Sequence, residues 1–63
     1  MSNAAELSSM GATVEELTRR LRVIAESYEA GHRDDLVAEV HEIERALEGA
    51  ERRIRRLVTA EGA

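Results

Sequence analysis
Four arginines, Arg52, Arg53, Arg55 and Arg56, crowd one short stretch of this chain and carry its densest chemistry. A guanidinium grips phosphate or carboxylate through paired N–H donors, so four near a helix end suit RNA, a nucleotide or an acidic partner. Two features weigh against nucleic acid. The chain has a net charge of −4, and the cluster contains no aromatic ring on which a base would stack. Such a run more commonly compensates a helix dipole and steers a dimer. RNA or nucleotide binding through these arginines is therefore the alternative reading.

The two histidines offer less. Glu29 and His32 have the Glu-x-x-His spacing of di-iron bundles, in which both side chains project inward from mid-helix with further carboxylates opposite. Here the pair straddles Gly31, and the apolar rows described below supply no carboxylate. His41 falls at an outward position near Glu42 and Glu44. Both read as surface histidines, with a pH-sensitive turn as a remote alternative, and no metal or other cofactor is expected. Tyr28, the sole aromatic residue, is expected to plug the apolar seam beside the turn with its hydroxyl in water. No nucleophile–base constellation, phosphate-cradling glycine loop or inward carboxylate pair is present, so the chain is not expected to be an enzyme.

The elements that must position these residues are written in the apolar spacing. Leu7, Met10, Val14, Leu17, Leu21, Ile24 and Tyr28 recur at alternating steps of three and four, as do Leu36, Val40, Ile43, Leu47, Ala50, Ile54 and Leu57. Each row is the stripe by which a long helix buries a narrow seam. The fold class is accordingly all-α, an antiparallel, coiled-coil-like two-helix hairpin forming one domain over residues 1–63. Its helices are expected over about 4–30 and 35–60, with a turn over about 31–34. Gly31 sits where a left-handed C-cap is expected, and Asp34 and Asp35 are placed to cap and charge-match the second helix. That helix is expected to bring its arginines near its negative end.

Two capping boxes compete for the first helix start, Asn3 with Glu6 and Thr13 with Glu16. Length favours the earlier one. A second helix of about 39 Å would be matched over only about 25 Å by a first helix starting at Thr13. Folding the chain at the turn also keeps Met10 opposite Ile54 and Leu7 opposite Leu57, in phase across Gly11. Ser2-Asn3-Ala4 resembles a tag-removal scar, so no function is placed on residues 1–4.

Sixty-three residues rarely build a sufficient core alone, and without cysteine there is neither a disulfide nor a thiolate site. Oligomerisation remains. Beside the rows lie small or apolar residues, Gly11, Thr13, Thr18, Ala25 and Ser27 in the first helix and Val37, Ala46, Val58 and Ala60 in the second. They widen the apolar face enough for two hairpins to close a four-helix bundle, so a homodimer is expected. Residues 31–50 carry six acidic side chains against Arg33 and Arg45, while residues 51–63 carry four arginines against Glu51 and Glu61. An antiparallel pair of hairpins lays basic ends over acidic ones. Helical pairs such as Glu15–Arg19, Glu16–Arg20, Glu48–Arg52 and Glu51–Arg55 add only about 0.3–0.5 kcal/mol each.

This plan is similar to that of the Rop family of plasmid copy-number regulators, hairpins that dimerise into antiparallel four-helix bundles and bind paired RNA loops. That family's polar and aromatic RNA-binding face has no counterpart here, so the resemblance implies architecture alone. Val40-His41-Glu42-Ile43-Glu44 also resembles the Ser-Gln-Glu-Leu-Asp signature of small sporulation-phosphatase hairpins, with Val for Ser and Glu for Asp. The chain is assigned to neither family. No run of about 18 apolar residues exists to span a bilayer, and the N-terminus lacks a basic and apolar leader, so a soluble cytoplasmic protein is expected. The functional reading is a regulatory or scaffolding homodimer that binds another protein. A subunit of a hetero-helical bundle is the third alternative.

Overall fold
The computed structural model describes residues 2–62 and contains two helices, α1 (Ala4–Ala30) and α2 (Asp34–Gly62), packed side by side as a hairpin. α1 passes through Gly11 without a break. Neither capping box forms at its start. The Asn3 side chain makes no cap; its backbone N–H instead donates to Glu61 Oε1 of α2 at 3.2 Å, and Ala4 N–H donates to Ser2 Oγ at 3.0 Å. Thr13 lies inside the helix, where its hydroxyl donates to the Ser9 carbonyl at 3.2 Å.

The turn places its left-handed residue one position later than expected. Gly31 has φ −87°, whereas His32 has φ 58°. Arg33 N–H reaches back to the Tyr28 carbonyl at 2.9 Å and His32 N–H to the Glu29 carbonyl at 3.1 Å, the paired bonds of a Schellman motif centred on His32. An L-residue in this region costs about 1–2 kcal/mol, with histidine among the types that visit it more readily. The Arg33 carbonyl accepts from Leu36 and Val37 N–H, so Arg33 occupies the cap position and Asp34 and Asp35 form the first turn of α2. Two hydrogen bonds from the Arg33 guanidinium, at 3.2 and 3.1 Å, hold the Asp35 carboxyl below its ordinary pKa. The stability this pair contributes is present at neutral pH and is lost as acid protonates Asp35.

The molecule measures 49 × 14 × 11 Å, with a radius of gyration of 14.7 Å. A compact chain of this length has a radius near 11 Å, so the hairpin is a rod, one helix thick in its thinnest direction. Its core is correspondingly slight. Ala25 and Val40 are the buried apolar side chains among the described residues, joined by Thr18 and Gly11. Thr18 stays satisfied because its hydroxyl donates to the Val14 carbonyl at 3.1 Å.

Candidate functional site
Burial rotates the inter-helix seam away from the row of large side chains. In α1 the residues that are buried or half-buried are Ala4, Leu7, Gly11, Val14, Thr18, Leu21, Ala25 and Tyr28. Those facing them from α2 are Val37, Val40, Glu44, Leu47, Glu51, Ile54 and Val58. Both sets step by three and four. Written as heptads, small residues Gly11, Thr18 and Ala25 take position a in α1, while Leu7, Val14, Leu21 and Tyr28 take position d. In α2, Val37, Glu44, Glu51 and Val58 take a, and Val40, Leu47 and Ile54 take d. A Cβ added at Gly11 would lie 3.6 Å from Ile54 Cγ2, which shows how closely the helices approach there.

The rows of large residues therefore divide. Their d members, Leu7, Val14, Leu21, Tyr28, Val40, Leu47 and Ile54, line the seam. Their other members lie at position g, about 60° further round each helix. Met10, Leu17 and Ile24 of α1 and Ile43 and Leu57 of α2 are 39–53% exposed, Ala50 is also exposed, and Leu36 is half-buried. In an antiparallel pair the g positions of both helices fall on one side, and here they form a continuous apolar flank. Its middle is a shallow groove lined by Leu17, Leu21, Ile24, Ile43 and Leu47 with Arg20 at the rim, and at its open end Leu7, Met10 and Leu57 line a hollow together with Asn3, Glu6 and Glu61. Val23, on the back of α1, is an isolated exposed residue by contrast.

The flanking residues noted in the sequence separate in the same way. Gly11, Thr18, Ala25, Val37 and Val58 are in the seam, whereas Thr13, Ser27, Ala46 and Ala60 stay exposed.

The opposite flank, at position e, is polar. It presents Ser8, Glu15 and Arg22 from α1 and His41, Glu48 and Arg55 from α2, beside the seam residues Glu44 and Glu51. Arg22 spans the helices to Glu44 at 3.8 Å and Glu48 at 4.0 Å, while Arg55 approaches Glu51 at 3.8 Å. Glu44 and Glu51 keep only 16% and 15% of their side-chain surface exposed. A hydrogen bond shared with Glu15 raises the Glu51 pKa, reinforced by desolvation and by the Glu15 charge, because two carboxyls can share such a bond only while one keeps its proton. Glu16 pairs with Arg19 at 2.6 Å and Glu42 with Arg45 at 3.3 Å, both exposed.

The arginine cluster does not gather on one face. Arg55 lies on the polar flank, Arg52 and Arg56 on the back of α2, and Arg53 beside the apolar flank, all exposed. α2 continues to Gly62, and no basic residue lies in its last turn, so the arginines stand short of the region where the helix dipole acts strongly. His32 forms the turn, and no group of three or more His, Asp or Glu is arranged to hold a metal ion among the described residues. No described helix is long and apolar enough to cross a membrane.

Comparison with protein-family models, curated proteins and solved structures finds no match to this chain.

Proposed function
We propose that this chain is a cytoplasmic, non-enzymatic interaction module that works as a homodimer of hairpins, a four-helix bundle whose charged outer faces dock another protein in a regulatory or scaffolding role. The observation that carries this reading is the apolar flank. Met10, Leu17, Ile24, Ile43 and Leu57 remain 39–53% exposed beside a seam that buries few side chains. Covering each would contribute about 1 kcal/mol, roughly half the value of full burial. Small residues at a, larger ones at d and further apolar residues at g give each helix the wide stripe of a bundle, broader than a two-stranded coil requires. A second copy supplies a matching stripe of the same width.

Sedimentation equilibrium over a concentration series, with circular dichroism on the same samples, tests the proposal. A strongly helical dimer is expected, and capture from the source organism with this dimer as bait should yield a protein partner. A poorly helical monomer would replace the homodimer with a subunit of a hetero-bundle. A salt-sensitive complex with RNA, lost when all four arginines of the cluster are replaced by alanine, would overturn protein docking in favour of nucleic acid.

A further inference from the structure
We infer that the two hairpins pair antiparallel about a two-fold axis crossing α1 at Leu17 and α2 between Ala46 and Leu47, with Glu39 and Arg53 as the contacts that set orientation. This rests on the homodimer reading and specifies its geometry. Contacts within the hairpin fix which residues lie level. Gly11 packs at Ile54, Leu7 and Met10 share a hollow with Leu57, and Asn3 reaches Glu61. These pairs place Leu17 level with Leu47 to within about one residue, or 1.5 Å.

The apolar flank is symmetric about that same level on both helices. In α1, Met10 and Ile24 stand seven residues either side of Leu17. In α2, Ile43 and Ala50 are equidistant from the point between Ala46 and Leu47, and so are Leu36 and Leu57. A two-fold axis lying in the interface across the helices brings α1 over the partner's α1 and α2 over the partner's α2, with directions reversed. Leu17 then meets its own copy, Met10 meets Ile24, and Ile43 meets Ala50. Large faces small at the last pair, which suits interdigitation.

The polar edge of the flank follows the same symmetry with charge. On α2 it consists of Glu39, Ala46, Arg53 and Ala60, all exposed. Glu39 and Arg53 lie seven residues either side of Ala46, so each Glu39 falls beside the partner's Arg53, twice per dimer. On α1 the edge is Glu6, Thr13, Arg20 and Ser27, and the same operation sets Arg20 beside Thr13 and Glu6 beside Ser27, without like charges meeting. Parallel pairing would instead put α1 over the partner's α2 at equal level, leaving Arg53 near Thr13, Glu39 near Ser27 and no ion pair. Exposed pairs of this kind select an orientation more than they hold a complex together.

The chain has no cysteine, so Leu17→Cys introduces one thiol per copy. In the antiparallel dimer the two thiols meet at the axis, and mild oxidation should convert the dimer to a disulfide-linked species. In a parallel dimer they lie on diagonally opposed helices, beyond the roughly 7 Å Cα separation a disulfide tolerates. Charge reversal gives an independent reading that leaves the apolar contacts intact. Glu39→Arg and Arg53→Glu should each weaken association about fivefold or more, as expected for two exposed pairs per dimer, and the double variant should return to near the original affinity. Disulfide formation together with charge rescue supports the assignment. A sedimenting dimer that neither cross-links through L17C nor responds to charge reversal overturns the antiparallel axis while leaving the homodimer standing, and a monomer overturns both.

Discussion

The two flanks of the hairpin differ in how their demands are met. The polar flank closes on itself, with Arg22 bridging to Glu44 and Glu48, Arg55 beside Glu51, and water available to the rest. The apolar flank has no such internal partner, since Leu17, Ile24 and Ile43 line one open groove and each keeps 39–46% of its surface exposed. Both flanks border the same narrow seam, so the contrast comes from side chains one heptad position either side of it. A hairpin alone satisfies the first flank and leaves the second to another molecule.

The largest effect should follow from making the apolar flank resemble the polar one. Leu17→Glu places a carboxylate at the centre of the proposed interface in both copies, an unpaired buried charge costing several kcal/mol. Sedimentation should show loss of the dimer, and helicity should fall at micromolar concentration; a dimer of unchanged affinity would remove the apolar flank from the interface. Next comes Gly11→Ala in the seam shared by both flanks. The added methyl would meet Ile54 at an ordinary contact distance, and alanine gains about 1 kcal/mol over glycine within a helix. Thermal unfolding should shift upward by about 4–8 °C. On the polar flank, Arg22→Ala breaks only long contacts of 3.8 and 4.0 Å made from an exposed guanidinium, so urea titration should show a change below about 1 kcal/mol and an intact dimer.

The smallest effect should be visible only as a slope against pH. Glu51 has its pKa raised above an ordinary value near 4.5 by Glu15, so the folded hairpin holds a proton that the unfolded chain has released. The Glu51 contribution to stability therefore declines as pH rises through that window, against the opposite slope of Asp35. Glu51→Gln should remove that contribution, leaving the variant more stable relative to the parent at pH 7 than at pH 4. A Glu51→Gln melting midpoint that tracks the parent at every pH would show that the Glu15–Glu51 contact carries no linkage.

How far these flanks could be read beforehand depended on side-chain size. The hairpin was legible because Leu, Ile, Val and Met recur at helical spacing on both sides of Gly31. The rotation of the seam was not, because two overlapping stripes share their d members and differ only in taking a or g. Large residues at g make the more conspicuous row. The helices approach instead through Gly11, Thr18 and Ala25, whose small side chains permit a close crossing but are weak hydrophobic signals. Glu44 and Glu51 carry no apolar signal of a seam position, because charge is the usual mark of an outward face. At the turn, glycine is the usual residue for the left-handed conformation, yet α1 keeps Gly31 as its C-cap and passes that conformation to His32. For the arginines, sequence proximity suggested a cluster, while a step of 100° per residue spreads them around the outside of α2.

The rod's 11 Å thickness has a further consequence for its dynamics. Nothing in a single hairpin lies more than one helix from water, so its backbone amides are protected chiefly by distance from the ends. Hydrogen exchange on an isolated copy should fall off in a gradient from the middle of the rod toward both tips, as local fraying competes with global opening. Burying one long side against another rod ties the segments together, and the gradient should then flatten toward a common slow rate.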